Sequence, residues 1–274
     1  MLSRVRRLVT IDLETVPDEG LVSAVDGEPT RPYPEKLRRV VAERMARTGS
    51  RSDFLPLPYH RPVAACLLDA VAEDGVIRLT DALVWTDRRE PEPAFLELAW
   101  QRLEGAGLIS FHGKGFDLPV LELRSLKHSI PAPSWFAPAR RGGGADHFDL
   151  RELLARQAPA APLDLYAKLV GLPGKEDVAG EDVQALHAAG DLDRIAGYCM
   201  SDVVQTFLLF LRLRLVEGAL TRDGYDESVG QAREALPRIL ARRLRPGERA
   251  ALDGFLDRCS PFFGAGELAA RRAQ

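Results

Sequence analysis

Residues 5–13, V-R-R-L-V-T-I-D-L, set apolar side chains against polar ones at short intervals and predict a first β-strand, ended by Pro17. Residues 18–58 are rich in proline, glycine and charge, with one helical stretch near PEKLRRVVAERMAR, and read as a flap inserted after that strand. The segment PVAACLLDAVAEDGVIRLTDALVW then predicts two strands joined at the EDG turn, an antiparallel hairpin. EPAFLELAWQRLEGAG has apolar positions at helical spacing and a terminal glycine, so a helix follows. GLISFHG is a short buried strand leading at once into a helix through LPVLELRSLKHS, and RRGGGADHF is a loop that delivers a short strand at HFDL. From Leu150 to Val216 the pattern is helical in three or four pieces, the last of them long and strongly apolar. Residues 217–274 close the chain with the helices SVGQAREALPRILARRL and PGERAALDGFLDRC. Strands first, then helices around one more strand pair, predict an α/β layer architecture: a mixed sheet flanked by helices.

Composition narrows the class without naming a chemistry. A chain of 274 residues with 46% hydrophobic and 28% charged positions can bury one large α/β core. The net charge of −3 gives no global pull toward polyanions, so a nucleic acid would have to be held by a local patch or through bound cations. Cys66, Cys199 and Cys259 are far apart and fit neither a disulfide framework nor a zinc site. No apolar run reaches the roughly 20 residues of a membrane span, and Asp12 and Glu14 break the N-terminus as a signal peptide, so a cytoplasmic protein is expected.

The chemistry begins with two acids on the first strand. Side chains alternate along a strand, so Asp12 and Glu14 share a face with Leu8 and Thr10, roughly 7 Å apart. Burying such a pair is costly unless something compensates the charge. In FHGKGFDLPVL, Asp117 stands at the start of a helix; it could be a simple cap, but Gly113 and Gly115 before it also permit close approach of a backbone or ligand. In YCMSDVVQTFLLFL, Tyr198 and Asp202 lie one helical turn apart on a helix apolar enough to be packed on the sheet.

In this order, DxE, then GxGFD after a strand, then YxxxD on a late helix, the constellation resembles the DEDD superfamily of 3′–5′ exonucleases, in its tyrosine-containing subgroup. The flanking text DLETVPD, FHGKGFDLPVLELRSL, KLVGLPGKEDVAGEDVQAL and YCMSDVVQTFLLFLRL is similar to the predicted stand-alone exonucleases related to the proofreading domain of B-family DNA polymerases, over about residues 8–216. The resemblance implies an RNase H-like α/β fold for residues 1–216, with 18–58 as flap and 217–274 as helical extension. It implies metal ligands at Asp12, Glu14, Asp117 and Asp202 and a catalytic tyrosine at Tyr198. It further implies two divalent cations, Mg²⁺ or Mn²⁺: Asp12 bridging both, Glu14 and Asp202 completing the water-activating site, and Asp117 serving the leaving-group ion. Hard oxygen ligands suit those ions. Where the family usually carries Asn, five residues before the second-motif Asp, this chain has His112, which ordinarily titrates near neutral pH.

Substrate contacts are expected from Thr15 and Val16 through backbone groups, from His112, from Phe116 by base stacking, and from Arg140 and Arg141 on a phosphate. Arg238, Arg242, Arg243, Arg245 and Arg249 form a candidate basic surface, while Asp149 and His147 read as structural. Single-stranded DNA is the expected substrate, with RNA open, because no motif here reads a 2′-hydroxyl. The end-directed polarity comes only from the resemblance. Two other readings stand beside it: a catalytically silent nucleic-acid-binding module on the same fold, and a metal-dependent phosphoesterase for nucleotides.

Overall fold

A computed structural model describes residues 6–137, 147–156, 158–175 and 182–264. Arg140 and Arg141 lie outside them. The first strand, β1, runs from Arg6 to Pro17, four residues beyond the apolar stretch, because its pairing with the next strand continues to Pro17 opposite His60. The register shifts between Glu14 and Thr15, a bulge immediately after the DxE pair. The flap contains two helices, α1 (Glu19–Asp26) and α2 (Tyr33–Thr48), where the sequence pattern had shown one. Asp18 caps α1 by accepting from Leu21 N at 2.8 Å, and Val22, Val40 and Leu55 give the flap a small core of its own.

β2 (His60–Glu73) and β3 (Val76–Thr86) form the expected hairpin, with Asp74 and Gly75 both at positive φ, as a tight primed turn requires. Next come α3 (Glu92–Leu103), β4 (Gly107–Ser110), α4 (Asp117–His128), α5 (Pro133–Phe136), β5 (His147–Asp149), α6 (Leu150–Ala155), α7 (Leu163–Leu169), α8 (Val183–Ala188) and α9 (Leu192–Val216). The C-terminal helices are α10 (Arg222–Arg243), α11 (Pro246–Ala250) and α12 (Phe255–Arg258). The sheet order is β3-β2-β1-β4-β5, with β1, β2 and β3 antiparallel and β4 and β5 parallel to β1. Helices cover it in the RNase H-like α/β arrangement. Among the described residues no helix is long and apolar enough to cross a membrane.

Alternation along β1 sorts the two cores. Val9, Ile11 and Leu13 pack with Phe95, Leu96 and Leu121 of α3 and α4. Leu8 faces the other way, into a larger core built by α9 and α10. Asp12 and Glu14 therefore sit on the α9 side, at the carboxyl end of the central strand.

The edge of β3 is closed by side chains of α10. Ser228 Oγ accepts from Ile77 N at 2.9 Å, and Gln231 both accepts from Leu79 N at 2.9 Å and donates to Leu79 O at 3.1 Å. These bonds satisfy strand groups that an open edge would leave as a template for aggregation. Gln231→Leu strands both Leu79 groups and is expected to cost about 1–3 kcal/mol in urea unfolding; an unchanged unfolding midpoint would contradict this role. Arg242 and Arg243, both exposed, are directed at Asp81, at 2.9 and 2.7 Å, so part of the charge of the candidate basic surface is paired within the chain.

Candidate active site

Three distant segments meet at the carboxyl end of β1. Asp12 and Glu14 project from the strand toward α9. Asp117 is the first residue of α4 rather than its cap, and its Oδ1 accepts from Leu13 N at 2.8 Å, which ties the helix start to the strand. Tyr198 and Asp202 lie one turn apart on α9, and between them Cys199 donates its thiol to Asp12 O at 3.4 Å. The structure thus brings together the four acids and the tyrosine singled out from sequence. Glu14, Asp117 and Asp202 are buried, and Asp12 is half-exposed to the cleft.

Such crowding is electrostatically adverse. Burial first, then the charges of Asp117 and Asp202, push the Asp12 carboxyl well above the ordinary range. Burial and the charges of Asp12 and Asp202 do the same to Glu14. Burial lifts Asp117 to about 7 although Leu13 N–H favours its ionised form. Asp202 is also raised by burial, against the pull of Lys175. Tyr198 is raised by burial and by the carboxylates around it, so its phenol stays protonated at neutral pH.

Among the described residues Asp202 Oδ1 is buried with no hydrogen-bond partner, as is Thr10 Oγ1, which shares the Asp12 face of β1. A buried carboxylate oxygen without a donor is destabilising unless a cation meets it. The oxygen-rich donor set fits Mg²⁺ or Mn²⁺. Asp12, Glu14 and Cys199 each place one ligand atom within 4.8 Å of the others. Burial keeps Cys199 a thiol, and its hydrogen already serves the Asp12 carbonyl, so the hard-ion site is left to the carboxylates.

The loop before Asp117 is shaped by a single buried acid. Asp149 accepts from His112 N at 2.9 Å, Lys114 N at 3.0 Å and Arg151 N at 3.1 Å. His112 has φ +73, a left-handed conformation in which Asn, Asp and His are several-fold enriched, and this accounts physically for a histidine where the family usually has asparagine. A Cβ on Gly113 would lie 2.5 Å from Ser110, and one on Gly115 would lie 2.4 Å from the His112 ring. Packing therefore demands glycine at 113, while a side chain at 115 would displace the His112 ring. Burial and Arg151, whose Nη1 is 2.9 Å from His112 Nδ1, lower the His112 pKa. These two causes shift His112 toward the neutral ring relative to a free imidazole. His147 Nε2 lies 2.8 Å from Ser110 Oγ.

Thr15 sits at the bulge with its hydroxyl 2.9 Å from His60 Nδ1, and the Val16 side chain is buried against Val63, Ile195 and Tyr198. Phe116 joins Phe54 and His60 in an aromatic cluster, with ring centroids 5.8 and 5.0 Å away. A cleft of 480 Å³ runs from Asp12 and Asp117 past Phe116 to Arg44 and Phe54 of the flap. A second cleft, of 710 Å³, passes Lys175 and Tyr198 toward α11 and α12. Sequence reasoning missed Arg44, Phe54 and Lys175. Nothing in the flap's pattern points to the cleft, and a lone lysine in a Pro-Gly turn carries no periodic signal.

Compared with known proteins, the chain matches a family described as predicted 3′–5′ exonuclease related to the exonuclease domain of PolB, over residues 52–258, about three quarters of its length. Asp117, Tyr198 and Asp202 fall inside that span, while Asp12 and Glu14 precede it. No curated protein matches the chain.

Proposed function

Because the chain belongs to the family of predicted 3′–5′ exonucleases related to the exonuclease domain of PolB, we propose that it trims single-stranded nucleic acid from the 3′ end, DNA in preference to RNA, using two divalent cations. The observation that carries this reading is the convergence of Asp12, Glu14, Asp117 and Asp202 around a buried, unpartnered carboxylate oxygen. Asp12, Glu14 and Asp202 would hold one Mg²⁺ or Mn²⁺, and Asp12 and Asp117 the other. Bound there, the ions would supply an activated water and neutralise charge on the phosphorane and the leaving oxygen.

The chain's own groups do the rest. Tyr198, protonated and within the acid cluster, orients the attacking water rather than taking its proton. Phe116, with Phe54 from the flap, offers a stacking surface for the terminal base, a sequence-tolerant contact available to any nucleotide. The bulge after Glu14 gives the backbone at Thr15 and Val16 an irregular path directly after the acid pair, and we assign it to the terminal sugar. His112 lines the cleft beside Phe116 as a neutral acceptor or donor. Arg140 and Arg141 are assigned to a phosphate further along the strand. We take residues 1–216 as the exonuclease domain with 18–58 as flap, and 217–274 as a helical extension that packs into the same core through α10.

The test is trimming of 5′-labelled single-stranded DNA and RNA of matched sequence with Mn²⁺ or Mg²⁺. A ladder that shortens from the 3′ end, faster on DNA, supports the reading; internal cuts alone contradict the polarity, and no cleavage supports a silent binding module. In the same assay Tyr198→Phe, which removes one hydrogen bond to a charged site, is expected to retain activity lowered about 10- to 100-fold. Full activity in that variant would remove the tyrosine's role.

A further inference from the structure

The flap, residues 18–58, folds around an apolar cluster of its own, built on Val22, Val40 and Leu55. Leu57 near its end packs against the core of α3 and α4, and Tyr59 O accepts from Asp18 N at 2.6 Å where the two ends of the flap meet. Charge also ties it to the body. Asp18, the first residue of the flap, is buried; its Oδ1 caps α1, and its Oδ2 accepts from Arg124 Nη1 and Lys127 Nζ of α4. Arg124, buried as well, turns its other two nitrogens to Glu92 at the start of α3, with Nη2 2.7 Å from Oε2. His128 Nε2 lies 3.1 Å from the same Glu92 oxygen.

A buried ion cluster adds little stability over apolar packing of the same shape, yet removing one partner leaves the others buried and uncompensated. It therefore enforces a geometry more than it adds stability, and here the geometry is the seat of the flap on α4. That helix begins with Asp117, tied to β1 through Leu13 N, and carries in its second half the two cations that receive Asp18. The 480 Å³ cleft lies between the same two bodies, with Arg44 and Phe54 on the flap side and Phe116 and Asp117 on the α4 side. Phe54, 54% exposed, meets Phe116 across that gap.

We propose that Asp18, Arg124 and Glu92 form a latch that seats the flap on α4 and so sets the width of the cleft between Phe54 and Phe116. Asp18 and Arg124 are then positioning residues for capture of the single strand, and they act on its binding rather than on cleavage of its phosphodiester. This deepens the exonuclease reading given above and rests on it for the identity of what is captured. The acids of the cluster stand on β1, α4 and α9, none of them on the flap, so an unlatched flap leaves them in place. A strand that reaches the flap loses one wall of its cleft, and a substrate too small to reach it is unaffected.

The experiment compares Asp18→Asn, Phe54→Ala and the double variant with the wild-type chain. Asparagine keeps the side-chain oxygen that caps α1 and removes the charge that Arg124 and Lys127 meet, and Phe54 is exposed, so both variants fold, which a melt confirms. Three readouts are taken: steady-state trimming of a single-stranded DNA with Mn²⁺, hydrolysis of the nitrophenyl ester of thymidine monophosphate with Mn²⁺, and tryptic cutting at the exposed flap residues Arg47 and Arg51. Asp18→Asn is expected to raise KM for DNA about 10- to 100-fold with kcat within about threefold, and to leave hydrolysis of the ester within about threefold. It should speed tryptic cutting of the flap about tenfold or more. Phe54→Ala raises KM by itself, and in the Asp18→Asn background its effect shrinks to within about threefold. Lys127→Met, an exposed change on the Asp18 arm, should move the same readouts in the same direction by less. A lowered kcat with unchanged KM, an equal loss on the ester, additive effects of the two substitutions, or tryptic cutting at the wild-type rate would overturn the latch. A wild-type chain that trims nothing fails at the exonuclease reading instead, and the latch is then decided by trypsin, which reads the seating of the flap without turnover.

Discussion

Asp12→Asn is expected to abolish Mg²⁺-dependent trimming, with a loss on the order of 10³-fold or more, and at the same time to raise the melting temperature of the metal-free protein. The two effects have one cause. Asp12 lies within the fields of Asp117 and Asp202, and its ionised form is disfavoured by burial and by both of them. A neutral amide of the same shape removes that repulsion and also removes the ligand that two cations would share. A residue important only for packing would lose stability and activity together. The paired measurement is a trimming time course in Mg²⁺ and a thermal melt in a chelator. An inactive and less stable variant would contradict the electrostatic account, and an active one would remove Asp12 from the metal site.

Metal and pH should act on stability in opposite directions. A carboxyl whose pKa is higher in the folded than in the unfolded chain binds its proton more tightly when folded, so stability is greatest while it is protonated. It is then lost as pH rises. For Asp117 the window runs from the ordinary value near 4 to about 7 in the fold. Asp12, Glu14 and Asp202, all raised, add to the same slope. The metal-free protein is therefore expected to melt at progressively lower temperature from pH 5 to pH 8. A divalent ion at about 100 times its Kd stabilises a fold by about 2.7 kcal/mol, roughly 5–10 °C in melting temperature for a domain of this size. At pH 8, Mn²⁺ should raise the melting temperature by that amount. At pH 5, where protons compete for the carboxylates, the gain should be much smaller. A metal-free melting temperature that rises over this range, or no response to Mn²⁺ at pH 8, would contradict the site.

What could be read from the sequence was what repeats locally. The alternation in LVTIDLE placed Asp12 and Glu14 on one face, and the structure sets that face against α9. The four-residue spacing of Tyr198 and Asp202 put both on one side of a helix whose apolar continuation signalled burial. Other features depend on contacts far away in the chain. Helix α1 is only eight residues long, and its start, Asp18, also receives Arg124 and Lys127 of α4, more than 100 residues on. Two arginines of the candidate basic surface, Arg242 and Arg243, are paired with Asp81, about 160 residues earlier, a contact that no local pattern reveals. Lys175 is placed by Gln205 and Asp164, neither of which announces a clamp in sequence. The left-handed backbone at His112 explains the histidine there, and no pattern of polarity reveals a φ angle.

The most direct test of the central claim is a crystal grown with Mn²⁺ and measured at an energy where manganese scatters anomalously. The account predicts anomalous peaks in contact with carboxylate oxygens of Asp12, Glu14 and Asp202, one of them against Asp202 Oδ1, with Asp117 facing the same cluster. Manganese bound elsewhere with these four acids bare, or the acids turned toward separate surfaces, would contradict it.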